Sequence, residues 1–191
     1  STLSLTQTLS PVSLFDLSWV HSKQTGMLAT SFNSVVINLP PNSTQLEIEK
    51  APDLRVRDTL SFRYKHALGK DSVQLGASTY RDDWNLQGHA IEARYFYRIR
   101  EGRLTFEPSY RFYTQKSADF YAKQFDAVKE YQTSDSDLGN FDGHSAGVLV
   151  SYWSSTWLTS QLSNYEIGFN YYQRSDNLDF YWLTLGWYTP L

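Results

Sequence analysis

Asp82, Asp83 and His89 come closest to a catalytic group in this chain of 191 residues. Two carboxylates and an imidazole held together could activate water, because neighbouring charges and shared protons tune the pKa of such groups. Asp82 and Asp83 are adjacent, so on a β-strand they point to opposite faces and only one could enter a site. The sequence leaves open a hydrolase that uses Asp82 and His89, but we expect no catalytic residue.

A second set of residues could act on solutes through charge alone. Nine bases share one side of the predicted strands with three acids, Glu92, Glu107 and Asp82, although the whole chain has a net charge of -3. Positive charge on a low-dielectric wall raises the local concentration of anions. In the alternative interpretation, the bases pair with acids across strands and only fill space. The predicted basic strip consists of Arg55, Arg57, Arg63, Lys65, Arg94, Arg98, Arg100, Arg103 and Arg111.

Metal and cofactor chemistry is not indicated. The chain has no cysteine, which excludes disulfides and thiolate ligands. Its four histidines lack the paired spacing of zinc ligands, and the acidic stretch from Asp126 to Asp142 lacks the spacing of a calcium-binding EF-hand loop. The basic residues form no run of the kind that binds nucleic acid. We therefore expect no cofactor, no metal and no nucleic-acid partner.

Alternation of apolar and polar residues with a period of two dominates the chain. In the segment 54–68, Leu60 and Phe62 lie on one side of the predicted strand while Arg57 and Arg63 lie on the other. No amphipathic helix of useful length is found, and no apolar run approaches the roughly 18 residues of a membrane-spanning helix. The alternation predicts about nine strands, at 2–9, 12–21, 54–68, 73–78, 91–100, 103–112, 144–153, 164–171 and 181–187.

The connections between these strands fall into two classes. Tight turns are predicted at Ser10-Pro11, Gly69-Lys70, Glu101-Gly102 and 154–157, whereas the segments 22–53 and 116–143 are long, polar and irregular. Short and long connections at opposite ends of a sheet are typical of outer-membrane barrels, which have short periplasmic turns and longer external loops. We therefore interpret these two segments as external loops.

The physical reason for a barrel is that hydrocarbon cannot satisfy free peptide groups, so an all-strand membrane protein must close its sheet. The fold class is thus all-β, an antiparallel up-and-down transmembrane β-barrel. The alternative is a soluble β-sandwich that acts as a binding module, since its half-solvated strands also alternate. In the barrel, the lipid-facing side chains include Leu60, Phe62, Tyr95, Tyr97 and Tyr110.

Strand parity adds an expectation about the length of the chain. Nine strands cannot close a barrel whose termini both lie on the periplasmic side of the membrane. Bacterial single-chain barrels use even numbers of strands. We expect residues 1–191 to be a single β-barrel domain, or the C-terminal half of a larger one that has further strands before Ser1.

Three motifs carry a family resemblance. The stretches "YRDDW", "GHAIEARY" and "SYRFYTQKSADFY" resemble a bacterial outer-membrane β-barrel family of unknown function, domain of unknown function 3570. The stretches "LSLTQTLSPVSLFDLSWVHSKQTGMLAT" and "APDLRVRDTLSFRY" are similar to it as well, so the resemblance covers most of the chain. The motif positions are Tyr80, Arg81, Asp82, Asp83, Trp84, His89, Arg111, Phe112, Tyr113, Gln115, Ala118, Asp119, Phe120 and Tyr121.

The resemblance implies the C-terminal half of a barrel in the outer membrane of Gram-negative bacteria. It also implies contact with the lipid bilayer and lipopolysaccharide, and it allows for periplasmic or lipoprotein partners. We expect a porin-like channel lined by arginine and lysine, or the membrane shell of a larger transport or electron-transfer conduit.

Overall fold

The computed structural model describes residues 1–30, 32–41, 43–155 and 162–189. Two 3-10 turns, Arg100–Gly102 and Ser136–Leu138, are found alongside the strands. None of the described residues form a helix long and apolar enough to cross a membrane. The strands are β1 Thr2–Ser10, β2 Ser13–Thr25, β3 Ser34–Leu39, β4 Ser43–Ile48, β5 Leu54–Leu68, β6 Asp71–Asp82, β7 Gln87–Ile99, β8 Leu104–Lys116, β9 Phe141–Ser155, β10 Leu162–Arg174 and β11 Asp179–Tyr188.

Nine of the strands form one antiparallel sheet in the order β1-β2-β5-β6-β7-β8-β9-β10-β11. Each strand pairs with its nearest neighbour along the chain within this sheet, which is the up-and-down topology predicted from the sequence. Most strands extend beyond at least one predicted end, because polar residues such as Gln87 and Arg174 continue the backbone ladder after the apolar alternation stops. β1 and β11 lie at the two edges of the sheet.

Short turns connect strands at one end of the sheet. The chain reverses between β1 and β2, between β5 and β6, and between β7 and β8 within a few residues. Gly69, in the turn between β5 and β6, has φ of +65°, a conformation that costs glycine little. The fourth predicted turn, 154–157, extends past Ser155 into residues outside the described part of the chain.

The register divides the side chains of the sheet into two faces. Phe62 pairs with Leu17 and Ala77, which pairs with Ile91, and all four point to what we call the apolar face. Arg63 lies between Asp16 and Gly76 on the opposite, polar face. The same parity holds across all nine strands. Each strand therefore separates an apolar surface from a charged one.

The apolar face is uncovered. Phe62 is 44% exposed, Ile91 60% and Leu185 79%. Among the described residues, the buried hydrophobic clusters lie in the long loops and in the turn between β6 and β7, and not against this face. A soluble sandwich would bury these side chains under a second sheet, so that alternative is wrong. The predicted lipid-facing residues all lie on this exposed face: Leu60, Phe62, Tyr95, Tyr97 and Tyr110.

At the other end of the sheet, the two long connections fold together with the short turn between β6 and β7. Residues 26–53, 83–86 and 117–140 form what we call the cap. The first segment was predicted to be irregular but contains the hairpin of β3 and β4, and Ile37 in β3 forms a bridge with Phe125 of the second long loop. Val35, Ile37 and Phe125 make one buried cluster of the cap, and Trp84 is in another.

We predict that a charge on the apolar face destabilises the protein in a depth-dependent way. Phe62 lies in the middle of β5, so Phe62→Arg is expected to lower the free energy of unfolding by about 2–4 kcal/mol. Tyr95 lies nearer the short-turn end, where its hydroxyl donates to Asp71 at 3.2 Å, so Tyr95→Arg should cost less, about 1 kcal/mol. Urea unfolding in lipid vesicles measures both.

Ser61→Arg is the matched control, because Ser61 occupies the same depth of β5 on the polar face. It is expected to leave the unfolding free energy close to that of the parent protein. An equal loss for Phe62→Arg and Ser61→Arg would contradict the assignment of the two faces.

Candidate functional site

The polar face carries most of the predicted basic strip. The register places seven of its nine bases there, whereas Arg100 and Arg103 lie in the turn between β7 and β8. Arg100, Glu101 and Gly102 have φ values of 51°, 58° and 86°, so the chain leaves the strand conformation before it can present these two arginines to the face. The bases on the face are Arg55, Arg57, Arg63, Lys65, Arg94, Arg98 and Arg111.

Three charged residues of the polar face were not counted with the predicted basic strip and its three acids. Arg174 lies at the end of β10, beyond the predicted end of that strand, while Asp16 and Glu166 occupy polar-face positions on β2 and β10. With them, the described strands place eight bases and five acids on this face. The face is positive, but less so than the sequence predicted.

Charges of opposite sign alternate along one row of the polar face. Asp16 pairs with Arg63, Arg63 with Gly76, Gly76 with Glu92, and Glu92 with Arg111. Gly76 leaves room for its neighbour, because a Cβ there would lie 2.6 Å from Cγ of Glu92. The row borders an open cavity of about 210 Å³. We call the charged residues of this row, Asp16, Arg63, Glu92 and Arg111, the charged belt.

Some of the bases nearer the short turns have local partners. Arg94 Nη1 lies 3.4 Å from Glu107 Oε1, and Arg98 Nη1 donates to the carbonyl of Lys70 at 2.9 Å. Lys65 Nζ lies 4.4 Å from the centre of the Phe96 ring, within range of a cation–π contact. Their positive charge is thus only partly compensated by acids.

Asp82 is the most heavily bonded carboxylate at the cap end of the face. Its side chain is fully buried and accepts hydrogen bonds from Arg55 at 2.8 Å and from the Tyr80 hydroxyl at 2.8 Å. It also accepts from the backbone N–H groups of Trp84, at 3.1 Å, and Leu86, at 2.9 Å. These bonds fix the turn between β6 and β7 onto β5.

His89 does not come together with Asp82. It pairs with Thr79 and is exposed on the apolar face, whereas Asp82 opposes Arg57 on the polar face. Asp83 is not part of such a site either, because its Oδ1 accepts from the backbone N–H of Val56 at 2.9 Å. The catalytic pair left open by the sequence therefore has no common site in the fold.

All four histidines lie on the apolar face. His144 bonds the Tyr110 hydroxyl at 2.7 Å, and His66 bonds the hydroxyl of Ser13 at 2.7 Å. His21 lies 3.1 Å from Asp58. Within the described residues, no group of three or more histidine, aspartate or glutamate side chains could hold a metal ion.

The separated motifs meet at the cap. Trp84 is 5% exposed and packs edge-on against Phe120, with 5.1 Å between ring centres. Its indole N–H donates to the carbonyl of Leu54 at 2.9 Å, and the Arg55 guanidinium lies 4.2 Å from its ring centre. Asn85 donates to Asp119 at 3.1 Å. The motif beginning at Tyr80 therefore anchors the motif that ends at Tyr121.

Gln115 and Tyr113 attach β8 to the same loop. The Tyr113 hydroxyl donates to Gln115 at 2.7 Å, and Gln115 donates to the carbonyls of Asp137 at 2.9 Å and Gly139 at 2.8 Å. Tyr113 lies flat over Gly88 on β7, where any Cβ would collide with its hydroxyl. Tyr121 covers Gly139 in the same way.

Arg174 attaches the cap to β10. Its side chain is 4% exposed and bonds Asp137 at 2.6 Å, Asp176 at 2.6 Å and the carbonyl of Ser136 at 2.8 Å. It also lies 3.6 Å from the centre of the Phe141 ring. The hydrogen bond from Arg174 lowers the pKa of the Asp176 carboxyl below its ordinary value.

The fold and the charged wall together define a class, the antiparallel up-and-down β-barrels of outer membranes. Two solved structures of an outer membrane protein of Vibrio cholerae share this fold with a TM-score of 0.59 and 11% sequence identity. OmpT folded in vitro aligns with 97% of this chain and 50% of its own, and OmpT lacking loop L8 with 95% and 53%. The chain thus spans about half the length of either structure.

The chain belongs to the family described as Protein of unknown function (DUF3570), whose model matches residues 1–183. This confirms the resemblance drawn from the sequence motifs. No curated protein matches the sequence of the chain.

We predict that Asp82 is needed to hold the cap in place. Asp82→Ala leaves the largely buried Arg55 guanidinium and two backbone N–H groups without their acceptor, which should cost about 3–5 kcal/mol. Asp83→Ala removes one exposed hydrogen bond and should cost about 1 kcal/mol or less. Urea unfolding compares the two neighbours, and similar losses would show that Asp82 has no special role.

We also predict a pH dependence of the contact between the cap and β10. Asp176 holds the Arg174 guanidinium that bonds Ser136 and Asp137 of the cap. Because the pKa of Asp176 is lowered in the folded state, this pair contributes its full stability above the ordinary value of 3.8. Its contribution is lost as the pH falls through the lowered pKa. Hydrogen-exchange protection of the Leu138 and Gly139 amides in the parent protein and Asp176→Asn measures this contribution.

The protection should differ between parent and variant at neutral pH, and the difference should disappear well below pH 3.8. Asp179→Asn is the control, since Asp179 begins the next strand and is not among the partners of Arg174. A difference that persists unchanged in acid would contradict the role of this pair.

Proposed function

We propose that this chain forms part of the wall of a porin-like channel in the outer membrane of a Gram-negative bacterium. The apolar face contacts lipid, and the polar face lines an aqueous lumen that favours anions. The observation that carries the proposal is the continuous register, which keeps Leu60 and Phe62 on one face and Arg57 and Arg63 on the other.

The charge on the polar face supports the preference for anions. Its strands carry eight bases against five acids, a net of about three positive charges on the described part of the wall. Charges at a low-dielectric wall act on ions in the lumen more strongly than charges in bulk water. A moderate selectivity is expected, because the acids of the charged belt offset part of the positive field.

The strands at the sheet edges support a larger barrel. β1 and β11 each present one row of backbone groups away from the sheet, and such groups need partners inside a membrane. Further strands that complete an even-stranded barrel would supply them. In this proposal, the described sheet is about half of that wall.

Three bases at the cap end of the apolar face favour contact with the phosphates of lipopolysaccharide. Lys23, Arg81 and Lys116 lie near the ends of their strands on the outward side. Periplasmic or lipoprotein partners would meet the short-turn end instead. Neither contact requires the channel to conduct.

The test is a measurement of reversal potential in planar bilayers under a salt gradient, using the complete protein. Arg63→Gln and Arg111→Gln each remove one positive charge from the charged belt. Both variants are expected to shift the reversal potential towards that of a non-selective pore. Arg81→Gln is the matched control, since it removes the same charge from the apolar face and should leave selectivity unchanged.

A stably inserted protein without conductance would contradict the channel and favour the membrane shell of a larger conduit. Equal selectivity in Arg63→Gln, Arg111→Gln and the parent would contradict a lumen lined by these bases.

A further inference from the structure

A second cavity lies under the cap. Its volume is about 400 Å³, within the range of about 300–1,000 Å³ that is usual for small-molecule sites. Residues from both long loops, β5, the turn between β6 and β7, and β8 contribute to its wall. The cavity is therefore assembled only when the cap packs against the sheet.

One part of the cavity wall is apolar. Trp84 and Leu86 come from the turn between β6 and β7, and Leu28 and Leu138 come from the two long loops. Trp84, Leu86 and their neighbours form a buried cluster, and the bonds to Asp82 hold the turn in place. A ligand would meet a preformed apolar surface here.

Another part of the cavity wall is charged, and two of its side chains have buried polar atoms without a hydrogen-bond partner in the described residues. Glu49 is 4% exposed, and its Oε2 is buried with no hydrogen-bond partner in the described residues. The Nε of Arg57 is buried and equally unpartnered within the described part of the chain. Both residues line this one cavity. Burying a charged group without a partner is strongly unfavourable unless something binds the group.

Other charged residues of the wall are already occupied. Arg55 holds Asp82, and Asp137 holds Arg174. Asp135 accepts from the backbone N–H of Asp137 at 2.9 Å. Among the charged side chains of the wall, Glu49 and Arg57 are thus the two that make no side-chain hydrogen bond within the described residues.

We propose that the cavity binds a small zwitterionic solute, an amino acid or a dipeptide with an apolar side chain. Its ammonium group donates to Glu49, its carboxylate accepts from Arg57, and its side chain packs against Trp84 and Leu138. A simple anion would leave Glu49 without a partner, and a simple cation would do the same to Arg57. Only a ligand with both charges satisfies both groups.

This site is separate from the charged belt proposed to act on ions. Of the charged residues named there, neither Arg63 nor Arg111 lines the cavity under the cap. Binding under the cap does not require conduction, so a failure of the channel proposal leaves this inference standing. The two proposals are tested by different measurements.

The experiment is isothermal titration calorimetry of the complete protein, purified in detergent, with L-leucine and L-leucyl-L-leucine. Two probes that each lack one charge, 4-methylpentanoate and 3-methylbutylamine, are titrated in parallel. At least one zwitterion is expected to bind, and both singly charged probes should bind at least tenfold more weakly. This comparison uses the unaltered protein and does not depend on the folding of any variant.

Variants then assign the two contacts. Glu49→Gln and Arg57→Gln should each weaken the zwitterion at least tenfold, whereas Arg63→Gln, which removes a positive charge outside the cavity, should leave binding unchanged. Glu49→Gln should also reduce the preference for the zwitterion over 4-methylpentanoate. The heat-dependent shift in gel mobility that folded barrels show confirms that each variant is assembled.

Two outcomes would overturn the proposal. In one, neither zwitterion produces a binding heat at millimolar concentration, which would show that the cavity does not bind zwitterions of this kind. In the other, 4-methylpentanoate binds as tightly as L-leucine and Glu49→Gln has no effect, so that the cavity takes anions through Arg57 alone.

Discussion

The unbroken pairing of each strand with its chain neighbour is the constraint on which the rest of the structure depends. Because successive side chains alternate between faces, the pairing fixes the side of every residue across all nine strands. A slip of one residue between β5 and β6 would bring Arg63 to the apolar face and Phe62 to the polar face. Each arginine misplaced in hydrocarbon costs about 2–4 kcal/mol at the midplane, so the pattern of charges enforces the register.

The sequence predicted the sheet well because this constraint acts within each strand. Leu60, Phe62 and their neighbours show the alternation of faces without any knowledge of long-range contacts. The alternation does not show where a strand ends. It continues through Arg100 and Arg103 although left-handed backbone turns the chain there, and it stops before Arg174 although the ladder runs on. The errors in the predicted basic strip are therefore errors of strand ends.

The cap was not predicted because its stability comes from contacts between distant segments. β3 reads Ser-Val-Val-Ile-Asn-Leu, a strand signal in itself, but the burial of Ile37 depends on Phe125 in the other long loop. The role of Asp82 likewise depends on the pairing of β6 with β5, which brings Arg55 to its carboxylate. Sequence spacing suggested a catalytic pair at this place, whereas the fold uses the carboxylate to fix a turn. The possible role of Glu49 could not be predicted from the sequence around it. It depends on burial by distant segments that leave the Glu49 carboxylate without a hydrogen-bond donor among the described residues.

Glycines on the polar face allow bulky neighbouring side chains to lie close against the sheet. Glu92 lies across Gly76, Tyr113 across Gly88 and Tyr172 across Gly143, and a Cβ at any of these glycines would press on the side chain that covers it. With no Cβ beneath them, these side chains can lie against the sheet, which leaves the space above the wall less obstructed. The same arrangement fixes charge, because Glu92 is held in the row between Arg63 and Arg111. The polar face thus carries bulky and charged residues that project little from the sheet. At one end, the cap covers this face, and Asp82, Gln115 and Arg174 anchor it there.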